Sequence, residues 1–238
     1  LSVPVVVVGN ISVGGTGKTP LIAWLVHFLK QAGFKPGVIS RGYGGSAAEW
    51  PQWVEEDSDP HTVGDEAVML ARQCLCPLAA GPVRVDSAKL LTDNAGCDII
   101  LSDDGLQHYA LGRDIEIALI DGARRFGNGH CLPAGPLRES VGRLREVDLM
   151  VCNGGDPREN EYAMRVVGNI AKNLVSGEQR ELQAFKGQYF HALAGIGNPE
   201  RFFNLLKESC GSDFREHVFP DHYFYRQKDI QFDDDHPV

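Results

Sequence analysis

Val5-Val6-Val7-Val8-Gly9-Asn10-Ile11-Ser12-Val13-Gly14-Gly15-Thr16-Gly17-Lys18-Thr19-Pro20 is the stretch that decides the architecture of this chain. The β-branched run that opens it, read over residues 3–8, is a strand buried on both faces. Pro20 reads as a first-turn proline of a helix, where its missing N–H costs little. Leu21, Ile22, Leu25, Phe28 and Leu29 continue that helix at helical spacing, and Gly33 ends it. Between strand and helix lie the small residues and the Gly-Lys-Thr of a phosphate-binding loop, with Ser12 in the place where the consensus has glycine. Small side chains let backbone N–H groups turn toward phosphate oxygens, and the helix N-terminus adds roughly half a positive charge. Ser12, Val13, Gly14, Gly15, Thr16, Gly17, Lys18 and Thr19 are therefore the candidate nucleotide site. Lys18 is placed to neutralise β- and γ-phosphate charge, and Thr19 to offer its hydroxyl to Mg²⁺.

Outward from that loop, strand-like and helix-like segments alternate. Residues 37–40 form a second short strand, followed by Arg41-Gly42-Tyr43-Gly44-Gly45. Residues 65–73 and 86–93 read as helices, and 98–102, 115–121 and 148–152 as strands, the last stopping at Asn153-Gly154-Gly155. Such alternation implies right-handed crossovers and an α/β fold of P-loop type: a mostly parallel sheet with helices on both faces. Near residue 175 the character changes. A polar Ser176-Gly177-Glu178 precedes a strand at 189–194, and Gly195 to Pro199 turns it into a helix carrying Phe202, Phe203, Leu205 and Leu206. The expected division is a P-loop nucleotide-binding domain over 1–175 and the start of a smaller α/β domain over 176–238, cut short.

Charge and composition narrow the function. With 23 basic against 32 acidic residues the net charge is −9, which disfavours binding to nucleic acid through a broad basic face. No apolar stretch reaches the ~18 residues of a membrane-spanning helix. The six cysteines form no C-x-x-C pair and read as buried, reduced thiols.

Asp103 and Asp104 close an apolar strand, where P-loop proteins hold Mg²⁺ directly or through water. His108 reads equally as a capped loop residue or a substrate contact. Asp65-Glu66 reads on its own as helix capping. Arg124-Arg125 reads as a solvated surface pair, and Asp221-His222 as a structural turn. The glycine pair before Lys18 also resembles the loops of partitioning-type ATPases, but these place a second lysine where this chain has Val13.

Taken together, VVVVGNISVGGTGKTP (5–20), SRGYGG (40–45), VGDEAVMLA (63–71), DDGLQH (103–108), RRFGNG (124–129), LPAGPLRE (132–139), AGIGNPERFF (194–203) and FPDH (219–222) resemble the tetraacyldisaccharide 4'-kinase family, the lipid A 4'-kinases, in the same order. The resemblance implies transfer of the ATP γ-phosphate to the 4'-hydroxyl of a tetraacylated glucosamine disaccharide 1-phosphate, with ATP and Mg²⁺ as cofactors. It implies that Asp65 abstracts the proton together with His222, and that Asp103, Asp104 and Glu139 join Thr19 at the metal. Asn10, Arg41, Tyr43, Gln107, His108, Arg124, Arg125 and Arg138 are its candidate substrate contacts. A lipid disaccharide is then the partner, and no protein or nucleic-acid partner is implied. The expected location is the cytoplasmic face of the bacterial inner membrane, with peripheral contact made by an N-terminal segment this chain lacks. The family also continues past the FPDH region. The competing readings are a P-loop ATPase switch that engages a protein, and an inactive nucleotide-binding fragment.

Overall fold

The computed structural model describes residues 1–211, 213–234 and 236–238. The chain divides into two units, Leu1–Val166 and Val167–Val238. The change in sequence character lies later, at 175/176. Polarity changes there, but residues 170–172 and 179–181 already belong to a hairpin of the second unit.

In the first unit β1 (Val5–Gly9) leads into α1 (Lys18–Gln31), and β2 (Pro36–Ser40) follows. Then come β3 (Gln52–Trp53), α2 (Pro60–Val63), α3 (Asp65–Cys74), β4 (Leu78–Ala80), α4 (Arg84–Ala95) and β5 (Ile99–Asp103). The unit is completed by β6 (Ile115–Asp121), a 3₁₀ turn at Val141–Arg145, β7 (Leu149–Asn153) and β8 (Glu161–Met164). The eight strands run in the order β3-β4-β2-β5-β1-β6-β7-β8, parallel throughout except for the β3–β4 edge. The expected α/β sheet is thus present. Its strands match the reading within a residue or two, whereas β3, β4 and β8 went unread because two to four residues carry too little periodicity.

Alternation along β1 explains its unbroken apolar character. Val6 and Val8 face a core shared with Leu21, Ile22 and Val26 of α1 and with Leu70 of α3. Val5 and Val7 face the opposite core with Ala88 and Leu91 of α4. Leu106 and Leu111, from the helix-free connection after β5, also cover that second face. Burying the strand on both sides fixes its register, so the loop after it emerges at the centre of the sheet's C-terminal edge.

In the second unit β9 (Ile170–Lys172) and β10 (Gln179–Glu181) form an antiparallel hairpin, while β11 (Phe190–Ala194) and β12 (Phe214–Val218) pair in parallel. Between the latter runs α5 (Pro199–Cys210), begun by Asn198, whose side chain accepts from the Arg201 N–H. Phe203, Leu206 and Cys210 of α5 pack with Ala192 and Ala194. All six cysteines are free; Cys74, Cys97, Cys152 and Cys210 are buried, but Cys131 is exposed, contrary to the expectation for every thiol. Among the described residues no helix is long and apolar enough to cross a membrane.

At the sheet edge opposite the loop, Glu116 begins β6 almost fully buried. Both its oxygens accept from Arg143 Nη2 at 2.6 Å, and Oε1 also accepts from Arg113 Nη1 at 2.6 Å. Burial pushes the Glu116 carboxyl up, but the bonds from Arg143 and Arg113 outweigh it and hold the group below the ordinary carboxylate range. The unfolded chain therefore takes up this proton at higher pH than the folded one. The contribution is complete above about pH 4.3 and is lost as pH falls through the lower folded value. Glu116→Gln should cost about 1.5–3 kcal/mol at neutral pH, because it removes the charged acceptor that Arg143 and Arg113 share and leaves Arg143 only its longer carboxylate contacts, to Glu139 at 3.7 Å and Glu146 at 3.6 Å. The gap between variant and wild type should narrow below about pH 4. Urea unfolding at several pH values measures both; an unchanged midpoint at neutral pH contradicts the role given to this pair.

Candidate active site

The loop between β1 and α1 is braced from outside at four points. Ile11 O accepts from the Arg138 N–H at 2.7 Å, and the Val13 N–H donates to Pro136 O at 2.8 Å. Gly15 O accepts from Arg124 Nη2 at 2.9 Å, and Thr16 O accepts from Asn153 Nδ2 at 2.8 Å. Arg124 is itself fixed by Asp121 at the end of β6, which accepts from its backbone N–H at 2.9 Å and from Nε at 3.0 Å. In a trans peptide the C=O and the following N–H point in opposite directions. Clamping the carbonyls of Gly15 and Thr16 therefore aims the next two N–H groups away from Arg124 and Asn153, as a phosphate cradle requires. Gly17 makes the close approach possible: its φ is 97°, and a Cβ there would lie 2.1 Å from Asn153 Nδ2.

Lys18 opens α1, with Nζ 3.4 Å from Asn10 Oδ1 and 3.6 Å from Asp104 Oδ1. Asn10, fully buried, donates through Nδ2 to Thr16 Oγ1 at 3.1 Å. Asn10, a candidate substrate contact, thus also ties the loop to itself.

The two carboxylates that end β5 have different surroundings. Asp103 is 3% exposed, and its Oδ1 has no hydrogen-bond partner among the described residues. Burial pushes this carboxyl up to about 7 against the pull of Lys18. Asp104, at φ 47°, receives Arg138 Nη1 on both oxygens at 2.8 Å. Burial works against its charge, but Lys18 and Arg138 prevail and hold it below the ordinary range. Glu139 accepts from Gln107 Nε2 at 2.6 Å and from the Tyr109 hydroxyl. Arg84, missed in the sequence, is 2% exposed and donates to Gly81 O at 3.0 Å and to Asp103 O at 3.3 Å, which pins the strand end.

The Asp103 oxygen with no partner among the described residues, the Thr19 hydroxyl in the first turn of α1 and the carboxylates of Asp104 and Glu139 are all oxygen donors. That suits Mg²⁺, which takes few protein ligands and completes its shell with phosphate and water. Among the described residues no three His, Cys, Asp or Glu side chains converge to hold a metal by themselves.

Asp65 is the first residue of α3 and is exposed; its Oδ1 accepts from the Glu66 N–H at 2.9 Å. The segment that carries it packs on the Gly-rich loop after β2: a Cβ on Gly64 (φ 92°) would lie 2.4 Å from Tyr43 O. Arg41 and Tyr43 on that loop are exposed. His108 is held below its ordinary range by burial, with Arg84, Arg113 and Arg41 adding to the effect, and its Nε2 is buried with no hydrogen-bond partner among the described residues. Arg125 is engaged with Glu161 of β8, at 2.5 and 2.9 Å, and with Cys152 Sγ at 3.4 Å. His222 lies in the second unit at φ 57°, in a turn closed by the Tyr223 N–H on Pro220 O at 3.1 Å. Asn153 and Asp121 were missed as site residues. Their one signal was position, at the C-terminal ends of β6, which lies beside β1, and of β7, the next strand out.

A braced phosphate loop at the central strand, with a lysine and paired carboxylates beside it, defines a P-loop nucleotide-binding α/β protein. Residues 1–237 match the family model LpxK, tetraacyldisaccharide-1-P 4'-kinase, and the chain belongs to that family. It is 55% identical over 238 residues to the tetraacyldisaccharide 4'-kinase of Nitrosococcus oceani, a match that covers 100% of this chain and 70% of the relative. It is 51% identical to that of Alkalilimnicola ehrlichii, covering 100% and 71%. A crystal structure of "apo" form LpxK from Aquifex aeolicus in complex with ATP superposes with a TM-score of 0.77 at 28% identity, over 96% of this chain and 76% of that one.

If the outer clamp sets the cradle, Asn153→Ala should weaken nucleotide binding about tenfold, roughly 1.4 kcal/mol, with the fold retained. Gly17→Ala should weaken it further. Fluorescent-nucleotide titration with parallel melting curves measures this; wild-type affinity in Asn153→Ala contradicts the clamp.

Proposed function

We propose that this chain transfers the γ-phosphate of ATP to the 4'-hydroxyl of a tetraacyldisaccharide 1-phosphate, a step of lipid A biosynthesis. The observation that carries the reading is the family match over residues 1–237, on a chain whose phosphate loop is braced for a nucleotide. Phosphoryl transfer asks the protein mainly for positioning and charge stabilisation. The loop amides and Lys18 hold the β- and γ-phosphates, and Arg138, tied to Asp104, lies at the same edge. Thr19, Asp103, Asp104 and Glu139 are the residues that would hold Mg²⁺, which when bound neutralises charge on the transferring group. Asp65 takes the proton of the sugar hydroxyl as the bond forms, with His222 orienting it or sharing the proton. Arg41, Tyr43, Gln107 and His108, on the loops around β2 and β5, are offered to the disaccharide.

The acceptor carries four acyl chains, so the enzyme works at a lipid surface. We place it peripherally at the cytoplasmic face of the bacterial inner membrane, with neither a protein nor a nucleic-acid partner. The net charge of −9 is in keeping with the last point.

Asp65→Ala should lower kcat on the order of 10²–10⁴-fold and leave ATP KM near wild type. Groups that act as one unit lose activity non-additively, so adding His222→Ala should cost much less than His222→Ala does alone. A double-mutant cycle on kcat in the full-length protein decides this. Additive losses would separate the two roles, and an unchanged kcat in Asp65→Ala would return that residue to helix capping.

A further inference from the structure

We propose that Tyr109, backed by Arg143, is a positioning residue that fixes the Glu139 carboxylate for the magnesium–nucleotide complex. The inference rests on the reading of Glu139 as a metal-side residue. Each oxygen of that carboxylate has its own donor. Oε1 accepts from Gln107 Nε2 at 2.6 Å, and the same nitrogen donates to Asn10 O at 3.1 Å, which ties this oxygen to the root of the phosphate loop. Oε2 accepts from the Tyr109 hydroxyl, which in turn accepts from Arg143 Nε at 3.3 Å, and that nitrogen lies 3.7 Å from Oε2 itself, a longer contact that the hydroxyl bridges. Arg143 cannot swing away, because its Nη2 is clamped on both oxygens of buried Glu116 at 2.6 Å. A continuous chain of contacts therefore runs from the buried ion pair at one end of β6, through Tyr109 and Glu139, to Asn10 and Lys18 at the other edge of the sheet.

Burial does not explain the placement of Tyr109. The residue is 64% exposed, yet the Arg113 and Arg143 guanidiniums lie 5.4 and 5.8 Å from its ring centroid, and its hydroxyl is aimed at a single carboxylate oxygen. Tyr109, Glu139 and Arg143 also stand on the wall of an open cavity of about 660 Å³. Water reaches Glu139 from that side, so without its donors the side chain would sample several rotamers. Holding it in one lowers the cost of ordering it when the metal arrives. Partners of this kind, which orient a ligand without touching the metal, typically change metal affinity 10–100-fold when removed.

The test is calorimetric titration of the full-length protein with a non-hydrolysable ATP analogue, once with Mg²⁺ and once with EDTA, for wild type, Tyr109→Phe and Glu139→Gln. Because Tyr109 is largely exposed, Tyr109→Phe removes one hydroxyl without opening a cavity, and its melting temperature should match wild type. The expected result is a loss of about 10-fold or more in affinity with Mg²⁺, with affinity in EDTA unchanged. Glu139→Gln should show the same pattern, at least as strongly. If Glu139→Gln loses Mg²⁺-dependent affinity and Tyr109→Phe does not, the positioning role is overturned while Glu139 keeps its own. If neither variant changes the Mg²⁺ dependence, the reading of Glu139 falls and takes this inference with it. An equal loss with and without Mg²⁺, or a lowered melting temperature in Tyr109→Phe, would assign Tyr109 to structure alone.

Discussion

The outward clamping of two peptide carbonyls, Gly15 O by Arg124 and Thr16 O by Asn153, is the constraint on which the rest of this site depends. A glycine-rich loop is entropically costly to hold in one conformation, and a cradle of N–H groups works only if it is set before the phosphate arrives. The strand order supplies the clamp. β6 lies directly beside β1 and β7 directly beside β6, so the residues just beyond β6 and at the end of β7 fall on the outer side of the loop. Gly17 is the concession that lets Asn153 come so close.

The same logic of fixed neighbours separates the two carboxylates after β5. Asp104 is spent on Lys18 and Arg138, which keeps both cations at the phosphate edge without a ligand. Asp103 is buried with one oxygen unanswered among the described residues, and burial raises its carboxyl to about 7. Arg84 holds the backbone at this point, so the two side chains diverge from a fixed origin.

Much of this was legible in the residues themselves. Four consecutive valines call for a strand covered on both faces, and Gly-Lys-Thr between that strand and a helix marks a phosphate-binding loop. Asp103 and Asp104 were readable because polar residues that end an apolar strand have to face something. The clamp was not readable: Asn153 stands 137 residues from Thr16, and nothing local marks it beyond the end of a strand. Arg84 looks like any charged residue at a helix start until its burial is seen. Tyr109 owes its place to a connection after β5 that packs on the sheet without helical periodicity, and Arg143 to the short 3₁₀ turn between β6 and β7.

The braced loop serves a lipid-phosphorylating reaction rather than ATP turnover for its own sake. The most direct measurement follows γ-labelled ATP with the full-length protein, with and without tetraacyldisaccharide 1-phosphate, and locates the transferred label by NMR. ATP should be consumed mainly when the acceptor is present, with one phosphate appearing at the 4'-position per ATP used. ATP hydrolysis at the same rate without acceptor, and no label on the disaccharide, would contradict this.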